Sequence, residues 1–458
     1  MKRLHFIGIG GAGMSGIAQV CRDLGYEVTG SDLKRSRYTR LLEERGIGVS
    51  FGHDPENLDR PDRVVVSTAI PSGNSELMAA VSRGIPVLQR AEMLAEIMSA
   101  KRGIAVAGTH GKTTTTSMIA HAMEALELDP SFVIGGELND VSSNARCGSG
   151  QWLVAEADES DGSLLYLRPE IAVITNIELD HHSHYSSKEE VERVFRRFIS
   201  SLPPGGALVI PDTPLLRELA GATEARVITF GEEDSADYQA AEVSVSRKGT
   251  RFRLSHPGED SPRWSDLSVP GLHNVLNSLA ALAVLDLVGV PPARAAPALA
   301  RFTGAARRFQ VKGEAGGVTV VDDYAHHPTE IQATLEAARA AGWKRIIGTF
   351  QPHLYSRTRY LHDEFGHALN LCDLAIVTDV FGAREEPEPG ISGKLVVDAA
   401  LKWDPGANVA YIPRPRDVVP LLLKELRQGD LVLTLGAGDI FKVGDDLLAA
   451  LKRQASIA

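Results

Sequence analysis

The chain has 458 residues, 43% of them hydrophobic and 23% charged; that supplies several apolar cores, excludes wholesale disorder, and at roughly 100 to 200 residues per domain suggests about three domains. Forty-eight Lys and Arg against 59 Asp and Glu give a formal net charge of -11, which argues against nucleic acid or an anionic membrane as partner, but not against one small anion held by a few amides and a lysine. The three cysteines, Cys21, Cys147 and Cys372, are too few and too scattered for a disulfide framework or a CxxC zinc site, so a reducing cytoplasm fits best.

Glycines break the amino-terminal run MKRLHFIGIGG too early for a secretory signal. No apolar stretch approaches the roughly 20 residues of a membrane-spanning helix, and membrane insertion is not expected. Leu4 to Ile7, then Ile17, Val20, Cys21 and Leu24 at helical spacing, then Glu27 to Thr29 give a βαβ signature. Between its first strand and helix, Gly8 to Gly13 fits GxGxxG, and Asp32 follows at the end of the next strand. Glycines there let backbone amides approach a diphosphate, and the helix amino terminus favours the anion. Packing alone is the competing reading of such a turn. The alternation continues through Val64 to Val66, a helix begun near Asn74, and Ile85 to Leu88.

A second α/β unit starts at Ile104 to Ala107. Gly108-Thr109-His110-Gly111-Lys112-Thr113 follows that strand and precedes a helix over Thr114 to Leu126, as in a nucleotide-phosphate loop. The pattern is a shortened one, since Val106 stands where the full motif has glycine. Lys112 is expected on the β/γ phosphates and the Thr113 hydroxyl on Mg²⁺. The strand Trp152 to Ala155 delivers Glu156, Asp158, Glu159 and Asp161 to its carboxyl end, where ligands of open α/β sheets bind. After the strand Ile171 to Ile174, the run Asn176 to His184 concentrates imidazoles and carboxylates, better suited to proton transfer or a second Mg²⁺ than to zinc.

Leu208 to Ile210 suits a further central strand, 188 to 202 an amphipathic helix, 238 to 254 antiparallel edge strands and Val275 to Leu285 a helix. A third α/β domain follows, with strands at Val318 to Val321, Arg345 to Thr349, Leu374 to Thr378 and Leu431 to Leu435 and an exposed loop at Glu385 to Gly390. Its strand ends carry Asp322 to Pro328 and Gln351 to Arg359, the latter with two guanidinium forks. The turn Leu435 to Asp439 reads as packing rather than ligand contact.

Seven segments in this order resemble the Mur ligase family: GIGGAGMSGIA at 8–18, GTHGKTTTTSM at 108–118, AEADESDGS at 155–163, TNIELDHH at 175–182, GLHNVLNSLAA at 271–281, DDYAHHPTE at 322–330 and FQPHLYSRT at 350–358. The resemblance covers nearly the whole chain and accounts for the shortened phosphate loop. It implies an α/β protein of three domains: an N-terminal Rossmann-like domain over 1–100 for a UDP-sugar, a central P-loop ATPase-type domain with a mostly parallel sheet over 101–312, and a C-terminal Rossmann-like domain over 313–458 closing over the active site.

The activity it implies is ATP-dependent joining of L-alanine to the lactyl carboxylate of UDP-N-acetylmuramate through an acyl phosphate, in peptidoglycan precursor synthesis, by a cytoplasmic monomer or homodimer using ATP and Mg²⁺. Carried over by position, Gly10, Gly11, Ala12, Gly13, Met14, Ser15 and Asp32 face the UDP-sugar. Gly108, Thr109, His110, Gly111, Lys112, Thr113, Thr114, Asn274, Asn277 and Asp323 serve ATP. Thr113, Glu156 and His181 hold metal, and Lys112, His181, His326 and Arg357, with Tyr324 on the substrate side, carry the chemistry. No lysine in these motifs matches the carbamylated lysine of other members. Three rivals remain: a relative that adds a preformed peptide to the same sugar, a nucleotide-gated binding module that hydrolyses ATP slowly to switch partners, and a nicotinamide-dependent oxidoreductase, which leaves Lys112 and Thr113 without a task.

Overall fold

Short runs of β-branched and other apolar residues, each closed by glycine or a polar turn, form strands buried on both faces, and amphipathic stretches between them form the covering helices. The computed structural model describes residues 2–138, 143–160, 162–180, 185–259, 261–383 and 385–455. The chain folds as two units, the first made of Met1–Glu178, Glu189–Tyr238 and Asn277–Leu299, the second of Leu179–Lys188, Gln239–Leu276 and Ala300–Ala458.

The first unit begins with β1 (Arg3–Ile7), α1 (Ala12–Asp23), β2 (Glu27–Asp32), α2 (Arg37–Glu44), β3 (Gly48–Phe51), β4 (Arg63–Val66), α3 (Ser75–Ser82), β5 (Val87–Gln89) and α4 (Arg90–Ser99). Its five strands are parallel in the order β3-β2-β1-β4-β5. A larger sheet follows from β6 (Arg102–Ala107), α5 (Lys112–Ala125), β7 (Ser131–Leu138), β8 (Ser143–Arg146), β9 (Trp152–Glu156), β10 (Ile171–Ile174), α6 (Lys188–Ile199), β11 (Ala207–Pro211), α7 (Pro214–Ala220) and β12 (Arg226–Gly231). Within this unit its order is β12-β11-β10-β6-β9-β7-β8, parallel except for β8.

The second unit holds the antiparallel strands β13 (Tyr238–Ser246), β14 (Gly249–Ser255) and β15 (Arg263–Leu267), as the alternation at 238 to 254 predicts. It continues with β16 (Gln310–Ala315), β17 (Val318–Asp323), β18 (Ile346–Phe350), β19 (Leu374–Val377), β20 (Val409–Tyr411) and β21 (Leu431–Leu435), ordered β16-β17-β21-β18-β19-β20 with only β16 antiparallel. The helices α8 (Leu272–Leu287) and α9 (Pro292–Leu299) precede that sheet in the chain, and α10 (Pro328–Ala340) and α11 (Tyr355–Leu369) cover it. Among the described residues no helix is long and apolar enough to cross a membrane.

Among the described residues three sheets are present, and the first unit holds the first sheet together with strands β6 to β12. The reason lies in α1, which is buried along Met14 to Cys21. Gly16 lets it approach β7 and β8 closely, since a Cβ there would stand 3.1 Å from the Cβ of Ala145 and 3.4 Å from Val133. Asn144, wholly buried, donates to the Ala12 carbonyl at 2.5 Å and to Ser15 Oγ at 3.2 Å, and accepts from Gln19 Nε2 at 3.3 Å. The strand β7 leaves little signal in the sequence because Gly135-Gly136 interrupts its apolar run, and β8 (SNAR) carries almost no apolar residue. Asn144→Ala strands several buried polar groups at once, and urea unfolding is expected to register a loss of about 1–3 kcal/mol.

Candidate active site

The parallel pairing of β6 with β9 sets Val106 beside Glu156, so the turn after one strand faces the carboxylates after the other. Gly108 and Gly111 have φ of 133° and 80°, and neither tolerates a side chain: a Cβ would stand 2.1 Å from Thr175 Oγ1 at the first and 2.7 Å from Asn277 Oδ1 at the second. The strand-end segment Thr175–Glu178 braces the loop from the side. The His110 amide donates to Asn176 Oδ1 at 2.9 Å, Asn176 Nδ2 donates to the His110 carbonyl at 3.0 Å, and the Glu178 amide donates to Thr109 Oγ1 at 2.9 Å. His110 Nε2 lies 3.4 Å from Glu178 Oε2.

Lys112 opens α5, and its ammonium donates to both oxygens of Glu159 at 3.0 and 2.8 Å, to the Thr109 carbonyl at 3.0 Å and to the Gly108 carbonyl. Glu159 is 2% exposed. Burial alone favours a neutral amine, but Glu159 and Asp158 outweigh it and hold the Lys112 pKa above the ordinary lysine value. Burial likewise opposes the charge on Asp158, and there Lys112 and Arg90 prevail, keeping its carboxyl below the ordinary range. The site therefore presents a charged lysine to an incoming anion.

Glu156 and Thr113 lie against Gly135 and Gly136 of β7, one at each. Glu156 Oε2 accepts from the Gly135 amide at 2.9 Å, and a Cβ on Gly136 would stand 3.0 Å from Thr113 Cγ2. A hydroxyl and a carboxylate are hard oxygen donors, a set that fits Mg²⁺. His181, the third expected metal ligand, lies outside the described residues. Asn277, on α8, lies against Gly111 and accepts from Thr115 Oγ1 at 3.1 Å. Asn274 belongs to the second unit, where its Nδ2 donates to the Pro270 carbonyl at 2.7 Å.

In the first sheet the Gly8 and Ile9 amides donate to the Ser31 carbonyl at 2.9 and 3.0 Å, and the Gly10 amide donates to Asp32 Oδ2 at 2.8 Å. One Asp32 oxygen thus shapes the turn itself. Gly11, Ala12 and Gly13 keep solvent access, whereas Met14 and Ser15 are buried in the core.

In the second unit Asp323 ends β17 almost fully buried, accepting from the amides of Phe309 and Ala325 at 2.9 and 2.8 Å. Burial pushes its pKa up to about 6. His326 Nδ1 lies 3.0 Å from the Tyr324 carbonyl and 3.2 Å from Glu330 Oε2, its ring edge-on to Tyr324. Burial lowers its pKa, so it is a neutral base near pH 7. Arg357 is 4% exposed and donates through Nε and Nη2 to the two oxygens of Asp180, each at 3.0 Å. Arg307 donates to Asp322 Oδ2 at 2.8 Å and to the Gly436 carbonyl at 2.7 Å, consistent with a packing role for the turn at 435–439.

The sequence matches three family models in succession: "Mur ligase family, catalytic domain" over residues 3–102, "Mur ligase middle domain" over 106–285 and "Mur ligase, glutamate ligase domain" over 307–438. The chain belongs to the Mur ligase family. A UDP-N-acetylmuramate--L-alanine ligase of Rubrobacter xylanophilus is 51% identical, the alignment covering 98% of this chain and 100% of the relative. Among solved structures, the fold is similar to the UDP-N-acetylmuramate-alanine ligase of Thermotoga maritima, with TM-score 0.83, 28% identity and 100% of each chain covered. It also resembles a murein peptide ligase of Psychrobacter arcticus, with TM-score 0.73, 26% identity and 99% of each covered.

For a Mur ligase, the sequence motifs located the loop and its acids but not their pairing. Glu159 holding Lys112, Asn176 bracing the loop and Asp180 engaging Arg357 join positions 47, 66 and 177 residues apart. Only the motif order hinted that these segments meet. Lys112→Met leaves the Glu159 carboxylate buried and uncompensated, at an expected cost of about 3 kcal/mol in chemical unfolding. Adding Glu159→Gln should recover most of that loss; a double variant no more stable than the single one contradicts the pairing. For Asp323, whose folded pKa of about 6 exceeds its ordinary 3.8, the stabilising contribution is complete below the ordinary value and disappears as pH rises through the folded one. Urea unfolding of Asp323→Asn across that interval should accordingly lack part of the wild-type decline in stability.

Proposed function

We propose that this Mur ligase joins L-alanine to the lactyl carboxylate of UDP-N-acetylmuramate with conversion of ATP to ADP and phosphate, as a step of peptidoglycan precursor synthesis in the cytoplasm. The observation that carries the chemistry is the charged Lys112 at a strand-to-helix turn beside clustered carboxylates. The choice of substrates is supported by the 51% identical relative, set against 26% for the peptide ligase structure.

A carboxylate and an ammonium do not condense readily in water, so the acid is activated first. In the proposed sequence a carboxylate oxygen of the sugar attacks the γ-phosphorus, a new O–P bond forms, the bond to the β-bridging oxygen breaks, and ADP leaves. Lys112 donates to the transferring phosphoryl oxygens and offsets their charge, while amides of Gly108 to Thr114 cradle the chain of phosphates. Thr113 and Glu156, with His181 by family position, would hold Mg²⁺, which when bound supplies further charge compensation at the phosphates. The uncharged amine of L-alanine then attacks the acyl carbon, the C–N bond forms, phosphate departs, and the amine proton passes to a base. His326 suits that role because burial keeps it neutral. Asn274, Asn277 and Asp323 are assigned to ATP, Arg357 to the amino acid side, and residues 10–15 with Asp32 to the UDP-sugar.

The test supplies ATP and UDP-N-acetylmuramate with L-alanine, glycine, L-serine or a preformed tripeptide in turn, following phosphate and the UDP-linked product by mass. Phosphate and product are expected in equal amounts with L-alanine, and Lys112→Ala is expected to lose both while staying folded. Preference for the tripeptide, or ATP turnover indifferent to sugar and amino acid, is the outcome that sinks the assignment.

A further inference from the structure

No residue from 8 to 15 carries a charged side chain, and Asp32, the acid beside the turn, adds negative charge. Backbone amides and a helix dipole alone are a weak hold for a diphosphate. A cation does stand over this turn. Arg90, the first residue of α4, lays its guanidinium on Gly13, where a Cβ would stand 3.4 Å from Nη1 and 3.9 Å from Cζ. Its Nη2 reaches Asp158 Oδ2 and Ser163 Oγ, each at 3.5 Å. Nη1 and Nε donate to none of the described residues, and the side chain is 19% exposed.

We propose that Arg90 binds the diphosphate of the UDP-sugar, with Asp158 as the positioning residue that turns its fork toward the Gly10–Gly13 turn. The inference rests on the reading of that turn as the UDP-sugar site. A planar fork matches phosphate oxygens two at a time, which a lysine cannot do, and at Gly13 the fork lies in ordinary van der Waals range of the turn. Asp158 also lies in the field of Lys112. One carboxylate thus faces both the cation assigned to ATP and the cation assigned to the UDP-sugar.

UDP itself, which has the diphosphate but no lactyl carboxylate, is the discriminating probe, titrated calorimetrically into the full chain beside steady-state kinetics with UDP-N-acetylmuramate. Arg90→Ala is expected to weaken UDP about 10- to 100-fold and to raise KM for the sugar nucleotide in parallel. Its KM for ATP and its thermal midpoint should stay close to wild type. Arg90→Lys should fall between the two, and Asp158→Asn should weaken UDP severalfold. Unchanged UDP affinity in both Arg90 variants, with wild type binding UDP, overturns the role of Arg90 and leaves the turn assignment standing. Weakened UDP-N-acetylmuramate with unchanged UDP also overturns it, by moving Arg90 to the carboxylate. Failure of wild type to bind either compound overturns the turn assignment and the role of Arg90 together.

Discussion

A lysine kept charged at the sheltered end of a strand is the constraint around which the first unit is arranged. Desolvation works against the Lys112 ammonium, and only close opposite charge restores it. The chain meets that requirement with β9, the neighbour of β6, whose carboxyl end delivers Glu156, Asp158 and Glu159 at the same level as the loop. Side chains are excluded at Gly108 and Gly111 because Thr175 and Asn277 occupy the space. Loop, acids and bracing segment thus specify one another.

The same economy of charge extends to the first sheet. Asp32 has one oxygen on the Gly10 amide, and the Ser31 carbonyl gathers two more amides, so the glycine turn after β1 is fixed by the end of the neighbouring strand β2. Its helix, α1, is in turn fixed by Asn144 from β8.

In the second unit burial acts the other way. With too little opposite charge to restore ionisation, Asp323 is pushed up to about 6 and His273 down to about 4, and His326 is lowered as well. All three are drawn toward their neutral forms. Arg357 and Asp180, buried as well, face each other in a two-bond fork. A neutral imidazole is able to accept a proton, which is the task proposed for His326.

The motif-bearing strands could be read from the chain because the information is local. A run such as Ile104 to Ala107 followed by a glycine loop and a lysine forms strand, turn and helix wherever it is placed, and the ordered motifs carried the family with them. The strand β7 and the edge strands β8, β16 and β20 lacked that local signal. Gly135-Gly136 breaks an apolar run for a reason, the approach of Thr113 and Glu156, that exists only in three dimensions. Which acid holds Lys112, which asparagine holds α1, and which carboxylate holds Arg357 were decided by tertiary structure alone. Strand propensity depends on neighbours a few residues away, whereas compensation of a buried charge depends on whatever the fold brings within hydrogen-bond reach.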